Sequence, residues 1–289
     1  MTPSSSDFVY VRGLRYHVRL WGDPGAPALF LLHGWMDISA SFQFVADVLC
    51  RRWRVIAPDW RGFGLSAWQR APYWFPDYLA DLDALLDHYS LHEPARLVGH
   101  SMGGNIACLY GGVRPERVAK IATLEGFGLS PTEPAEAPAR YRKWLEQLRG
   151  AAWFKNYGTR EELARRLQRD NPRLDGQKAA FLAQHFGIEG DDGHIEIAGD
   201  PYHKLVNPVL YRLEEAKACW RAVTAPVLWV AARDSYVMKG FRGREDDYRA
   251  RLACFRRVRE VVLEDCSHMM HHDKPEELAA LLEDFLGEV

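Results

Sequence analysis

Cysteine is scarce and scattered in this sequence. Its five cysteines (Cys50, Cys108, Cys219, Cys254, Cys266) are odd in number, lie far apart and form no C-x-x-C pair. A disulfide framework is therefore not expected, and free thiols in a reducing compartment, the cytoplasm, are the reading that fits. Long apolar runs are missing too: nothing approaches the roughly 18–20 residues of a membrane span. The stretch from Met1 to Asp7 holds Ser and Pro but no basic flank followed by an apolar segment, so no secretory signal is expected. Nor is there an excess of one charge. Lys and Arg number 37 against 39 Asp and Glu, a formal net charge of −2, which removes any global reason to expect nucleic acid or an anionic membrane as partner. Solenoid repeats and low-complexity tracts are absent.

What is present argues for a folded chain. Hydrophobic residues make up 47% and aromatics 12% of 289 residues, enough apolar surface to offset chain entropy. That length lies between one large domain and two small ones.

Strand-like and helix-like patterns alternate. Residues 8–12 and 14–21 flank Gly13 and read as an antiparallel pair. Continuous apolar runs at 28–32, 54–58, 96–98, 118–124, 226–232 and 260–263 read as buried strands. Helical spacing appears at 41–53, at a segment opened by Asp77 as cap, and at 102–112, 213–223, 241–255 and 275–286. This alternation predicts an α/β fold with a mostly parallel sheet covered on both faces. One interval breaks the rhythm. From Glu125 to Pro226 the chain advances 226 − 125 = 101 positions between neighbouring strands, far more than one crossover helix needs. Residues 130–212 therefore read as an inserted, mainly helical lid (helices at 139–149, 160–169 and 177–186, a hairpin across Asp192-Gly193) on a core of 1–129 and 213–289.

The pentapeptide Gly99-His100-Ser101-Met102-Gly103 matches G-x-S-x-G between an apolar strand and a helix. There a serine sits on a sharp turn, flanked by small residues where strand and helix approach, with its hydroxyl at the positive end of a helix. Ser101 is thus the candidate nucleophile. It needs a base and an orienting acid, in the order Ser, Asp or Glu, His. His268 follows the 260–263 strand and is the expected base. His271 and His272 read as the start of the closing region, and a metal set of His268, His271, His272 and Asp273 is the weaker reading. Asp234, directly after the 226–232 strand, is the favoured acid. The oxyanion donors expected are the amides of Met102 and Trp35, with Met36 as fallback to Trp35. His33 reads as a histidine that fixes its loop by bonding backbone.

These motifs carry a resemblance. His33-Gly34-Trp35-Met36, Asp59-Trp60-Arg61-Gly62-Phe63-Gly64-Leu65-Ser66, Gly99 to Gly104, Arg233-Asp234 and His268 to Pro275, in that order, resemble the α/β-hydrolase superfamily of serine esterases. Gly126-Phe127-Gly128-Leu129 and the segment from Asp200-Pro201-Tyr202-His203-Lys204 to Tyr211-Arg212 look most like its serine-hydrolase-like branch. The resemblance implies an α/β-hydrolase fold and a structural Asp59–Ser66 loop. Some haloalkane dehalogenases of the superfamily place their acid where Glu125 stands, so Glu125 is the alternative or auxiliary acid. The dehalogenases and epoxide hydrolases themselves use a carboxylate nucleophile, which Ser101 argues against.

The function expected is hydrolysis of a small or medium uncharged carboxylic ester, or a thioester, through an acyl-enzyme on Ser101, with no metal or organic cofactor. A carbon–carbon bond hydrolase of the same fold and a ligand-binding receptor with slow or no turnover stay open. Trp35, Trp144, Trp153 and Phe154 are candidate substrate contacts. Of the ten Trp, Trp21, Trp53, Trp220 and Trp229 look like core, whereas Trp35, Trp60, Trp68 and Trp74 fall on loops. An aromatic-walled cleft over Ser101 is therefore expected.

Overall fold

A computed structural model describes residues 1–150 and 152–288. The strands are β1 (Ser5–Val11), β2 (Leu14–Trp21), β3 (Ala28–Leu32), β4 (Arg54–Pro58), β5 (Ala95–His100), β6 (Val118–Leu124), β7 (Gly187–Glu189), β8 (Ile195–Ile197), β9 (Val227–Ala232) and β10 (Val258–Leu263). The helices are α1 (Gln43–Leu49), α2 (Pro76–Tyr89), α3 (Met102–Val113), α4 (Ala137–Leu148), α5 (Arg160–Asp170), α6 (Gly176–Phe186), α7 (Leu213–Ala222), α8 (Tyr236–Gly240), α9 (Glu245–Leu252), α10 (Met270–Asp273) and α11 (Pro275–Gly287). Eight strands form one sheet in the order β1-β2-β4-β3-β5-β6-β9-β10. β1–β2 and β2–β4 are antiparallel and every later pair is parallel, as α/β crossovers require. Among the described residues no helix is long and apolar enough to cross a membrane.

The pleat explains why the central strands are apolar throughout. Leu29 and Leu31 face one layer, with Val55, Val98, Leu228 and Val230, and pack on Leu49 of α1 and Leu278, Leu282 and Phe285 of α11. Phe30 and Leu32 face the other, with Ile56, Leu97 and Trp229, against Leu82, Leu86, Ile106 and Trp220. Each such side chain, fully buried, contributes about 1.5–3 kcal/mol of transfer free energy. Both faces being covered, alternation disappears from the sequence and only the run remains.

Three helical expectations change at their ends. The 41–53 helix shortens to a 3-10 turn at Ser39–Phe42 followed by α1. There the Ser39 amide is drawn to the Asp59 carboxylate at 2.6 Å and Ser41 Oγ to His272 at 2.7 Å. Asp77 does not cap α2: Pro76 opens the helix, and the Asp77 carboxylate instead pairs with Arg12 and Arg61 at 2.8 and 3.2 Å. The 241–255 helix shortens to α9, which a link containing Gly243 at φ +72° separates from the short α8 before it, a conformation that only glycine adopts at no steric cost.

Between β6 and α7 lie α4, α5, α6 and the β7–β8 hairpin. Leu163, Leu182, Phe186, Ile195 and Ile197 of this insertion pack on Ile38, Ala40 and Phe44, beyond the carboxyl end of β3. Polar contacts join the same surfaces. Asn171 Nδ2 donates to Asp273 at 2.7 Å and Lys178 Nζ to the His272 carbonyl at 2.9 Å. Asp200 accepts from Arg70 N and Tyr73 OH. The His203 ring stacks between Phe63 and Tyr73, 3.8 and 3.6 Å from their centroids.

Candidate active site

Ser101 occupies the turn between β5 and α3 at φ 51°, ψ −112°. A non-glycine residue held there stores of order 1–3 kcal/mol, which the surrounding contacts must offset. The neighbouring glycines show how. A Cβ on Gly99 would lie 2.3 Å from the Gly103 carbonyl oxygen, and one on Gly103 only 2.0 Å from that of Leu32. The backbone is anchored by Ser101 N donating to Leu124 O at 2.8 Å. Met102 is the first residue of α3, so its amide has no intrahelical acceptor. A Cβ on Gly34 would approach that of Ser101 to 3.2 Å, which sets the His33–Met36 loop against the serine. Its turn is held by Met36 at φ 58°. His33 fixes this loop, as expected: Nδ1 lies 2.7 Å from Gly34 O, and Nε2 accepts from Trp60 N at 2.9 Å.

His268 lies on the loop after β10, with Nδ1 2.7 Å from Oε2 of Glu125. Glu125 is buried, one residue past β6. Its other oxygen, Oε1, accepts from Ser235 Oγ at 2.6 Å and from Ala232 N at 3.0 Å. Asp234, the acid favoured from sequence, is directed elsewhere. Its carboxylate is half exposed and pairs with Arg173 of the insertion at 2.6 Å, and among the described residues it makes no bond to His268. The preference between the two acids is thereby corrected. The loop after β9 turns Asp234 outward and Ser235 inward, where Ser235 also caps α8 through Met238 N at 3.0 Å. The His268 carbonyl accepts from Nε2 of His100 at 2.9 Å, which ties the histidine loop to the serine turn.

The alternative metal set comes apart. His268 goes to Glu125, His271 and His272 both contact Ser41 Oγ at 3.0 and 2.7 Å, and Asp273 accepts from Ser267 and Asn171. Burial pushes the Cys108 and Cys266 thiols up to about 12, so neither is a thiolate at neutral pH. Trp21, Trp53, Trp220 and Trp229 are core, as expected. Trp60 is a correction: although on a loop it is fully buried, with Nε1 donating to His33 O at 3.1 Å, and so lines no cleft. Trp35 and Trp153 are exposed, Trp144 and Phe154 half-buried. Lys204 Nζ sits 4.5 Å from the centroid of the Phe154 ring. Sequence reasoning missed Ser235 and Tyr236. The Tyr236 ring lies 4.7 Å from that of His268 and the residue is 67% exposed. Their position immediately after the strand that ends at Ala232 was the available signal.

Similarity to known proteins bears on the family and the fold. A "Serine hydrolase-like protein" of Danio rerio is 27% identical over 278 residues, covering 93% of this chain and 84% of its own. The mouse (Mus musculus) protein of the same name is 27% identical over 186 residues, covering 62% and 60%. Among solved structures, the thioesterase domain from the curacin biosynthetic pathway superposes with a TM-score of 0.87 at 22% identity, over 98% of this chain and 99% of that one. E-2-(Acetamidomethylene)succinate hydrolase gives 0.74 at 22%, over 99% and 100%; at this identity both speak to the fold. The family model described as alpha/beta hydrolase fold matches residues 27–275, and the chain belongs to that family.

Proposed function

We propose that this α/β hydrolase cleaves an uncharged carboxylic ester or thioester through an acyl-enzyme on Ser101. The observation that carries the reading is the 2.7 Å contact of His268 Nδ1 with the buried Glu125 carboxylate, on the loop tied to the Ser101 turn. With Nδ1 held by an acceptor, it carries the proton, and Nε2 is left with the lone pair that a serine hydroxyl requires. His268 takes the Ser101 proton as Oγ bonds to the acyl carbon. Glu125 stabilises the imidazolium, and the amides of Met102 and Trp35 hold the oxyanion, each worth about 3–4 kcal/mol of barrier. The imidazolium then protonates the leaving alcohol or thiol as its bond to the acyl carbon breaks. Water repeats the sequence, giving the acid and free Ser101.

The insertion of residues 130–212 acts in this reading as a lid, and the exposed rings of Trp35, Trp153 and Tyr236 are the aromatic surface available to an uncharged substrate. The test is labelling by a fluorophosphonate probe, followed by turnover of p-nitrophenyl and thioester substrates graded by acyl length. Labelling of the wild type and its loss in Ser101→Ala are expected. A folded wild type that neither labels nor turns over any ester would leave a ligand-binding protein, and a preference for charged esters would overturn the substrate class.

A further inference from the structure

Beneath the oxyanion loop lies a second constellation that this mechanism does not use. Asp37, His100 and His271 are each at most 3% exposed, and each offers a donor atom within 4.8 Å of the others. The hydrogen-bond roles in this cluster are constrained. His100 Nε2 faces the His268 carbonyl, which can only accept, so Nε2 carries the proton of a neutral imidazole and Nδ1 presents a bare lone pair. Asp37 Oδ1 accepts from Ile38 N at 2.9 Å. Its Oδ2 has no hydrogen-bond partner among the described residues, with Nε2 of His271 3.6 Å away. His100 Nδ1 and His271 Nδ1 are likewise unpartnered.

Two acceptor-only atoms, Asp37 Oδ2 and His100 Nδ1, thus belong to one buried cluster without a hydrogen-bond partner among the described residues. An unsatisfied buried polar atom costs about 1–3 kcal/mol, and no Lys or Arg pairs with Asp37 among the described residues. His271 Nε2, at 3.6 Å from Asp37 Oδ2, is beyond hydrogen-bond distance, which leaves room for something positive within the cluster. Two imidazoles and one carboxylate are a donor set suited to zinc-class ions.

We infer that Asp37, His100 and His271 form a buried site for a divalent transition-metal ion of the zinc class, and that its occupancy restrains turnover at Ser101. The set differs from the His268, His271, His272 and Asp273 grouping, and the ion takes no part in the ester chemistry. Metal–ligand distances of about 2 Å require the three donors to draw together. Asp37 follows the Trp35–Met36 turn, and His100 holds the loop of His268 by its carbonyl. Contraction therefore shifts both the oxyanion donors and the base, and displacements of about 1 Å at such groups cost up to about a hundredfold in rate. This second half rests on the serine-hydrolase reading; the binding itself does not.

The test titrates metal-free, full-length protein with Co2+ and reads its visible d–d absorption. Saturation at one ion per chain, displacement by Zn2+, and loss of the band in folded Asp37→Asn and His271→Gln are the expected results. Zn2+ should also lower kcat of the wild type by at least about tenfold, reversed by EDTA, and leave Asp37→Asn unaffected. Should both variants unfold, X-ray absorption of zinc-loaded wild type decides: two imidazoles with oxygen ligands support the site, whereas sulfur or oxygen-only ligation overturns it. No band in the wild type means that the cluster holds water alone, and a band surviving in both variants means a site elsewhere; either result overturns the inference. A wild type without esterase turnover would sink the hydrolase reading while leaving the Co2+ spectrum legible.

Discussion

His268 and Glu125 meet across one intervening strand. The histidine hangs from the loop after β10, the glutamate stands at the end of β6, and β9 lies between them in the sheet. The carboxylate reaches past the end of β9, held there by the Ala232 amide at its terminus. If this pair orients the base, Glu125→Gln should lower kcat for a simple ester by about 10³–10⁴-fold, the scale of losing an orienting carboxylate in a serine triad. Asp234→Asn removes only a half-exposed ion pair with Arg173, worth at most about 1 kcal/mol, and should leave kcat within about threefold. Steady-state kinetics of the two variants decide. Full activity in Glu125→Gln with loss in Asp234→Asn would restore Asp234 as the acid.

Ser235 acts on the same pair at one remove. Its hydroxyl donates to Glu125 Oε1 at 2.6 Å, and a hydrogen bond to a charged group is worth about 1.5–3 kcal/mol. The Ala232 amide still serves that oxygen, so Ser235→Ala should cost about tenfold in kcat with KM unchanged. Ser235→Thr keeps the hydroxyl and should recover most of the loss. A KM effect alone, or equal losses in both variants, would reduce Ser235 to its role as the cap of α8.

Much of this arrangement is legible in the sequence because its signals are local. The elbow at Ser101 is written in five consecutive residues, and the buried strands are short apolar runs whose register hardly matters to their detection. The choice between Glu125 and Asp234 is different in kind. Both follow strands that end at the same sheet edge, and which one meets His268 depends on how the loop after β9 turns two adjacent side chains, one outward to Arg173 and one inward. That turn is set by nonlocal contacts, the Ser235 hydroxyl and Ala232 amide on a residue more than 100 positions earlier. The burial of Trp60 was hidden for the same reason. Its loop looks solvent-bound until His33, 27 residues away, claims both its backbone and its indole N–H.

The close approach at the serine turn makes a stability prediction with an internal control. Gly103→Ala would force a methyl to 2.0 Å from the Leu32 carbonyl oxygen, and overpacking of this kind costs about 1–3 kcal/mol or more. Gly176, at the start of α6, has open space around its Cα and no left-handed φ, so Gly176→Ala should stabilise by about 0.4–1 kcal/mol. At about 2–4 °C per kcal/mol, calorimetry should see the two variants move Tm in opposite directions. A neutral Gly103→Ala would mean that the elbow is looser than its geometry.

His203 makes stability depend on pH. Burial lowers its pKa to about 3, outweighing the Arg61 carbonyl that its Nε2 faces at 3.2 Å. The unfolded chain binds this proton near 6.5, the folded chain only near 3. The unfolded state therefore holds more protons throughout that window, and stability, intact above pH 6.5, is lost as pH falls toward 3. The slope is about 1.4 kcal/mol per pH unit for one such group. His272, lowered by burial to about 3, and Asp59, held at about 2 despite its burial by the hydrogen bond and charge of His17, act in the same direction. His203→Phe keeps a ring between Phe63 and Tyr73 and removes one titration. Urea unfolding at steps from pH 7 to 4.5 should then show a slope shallower by about that amount, whatever the variant's stability at pH 7. An unchanged slope would mean that His203 takes up its proton while the insertion stays docked on Phe63 and Tyr73.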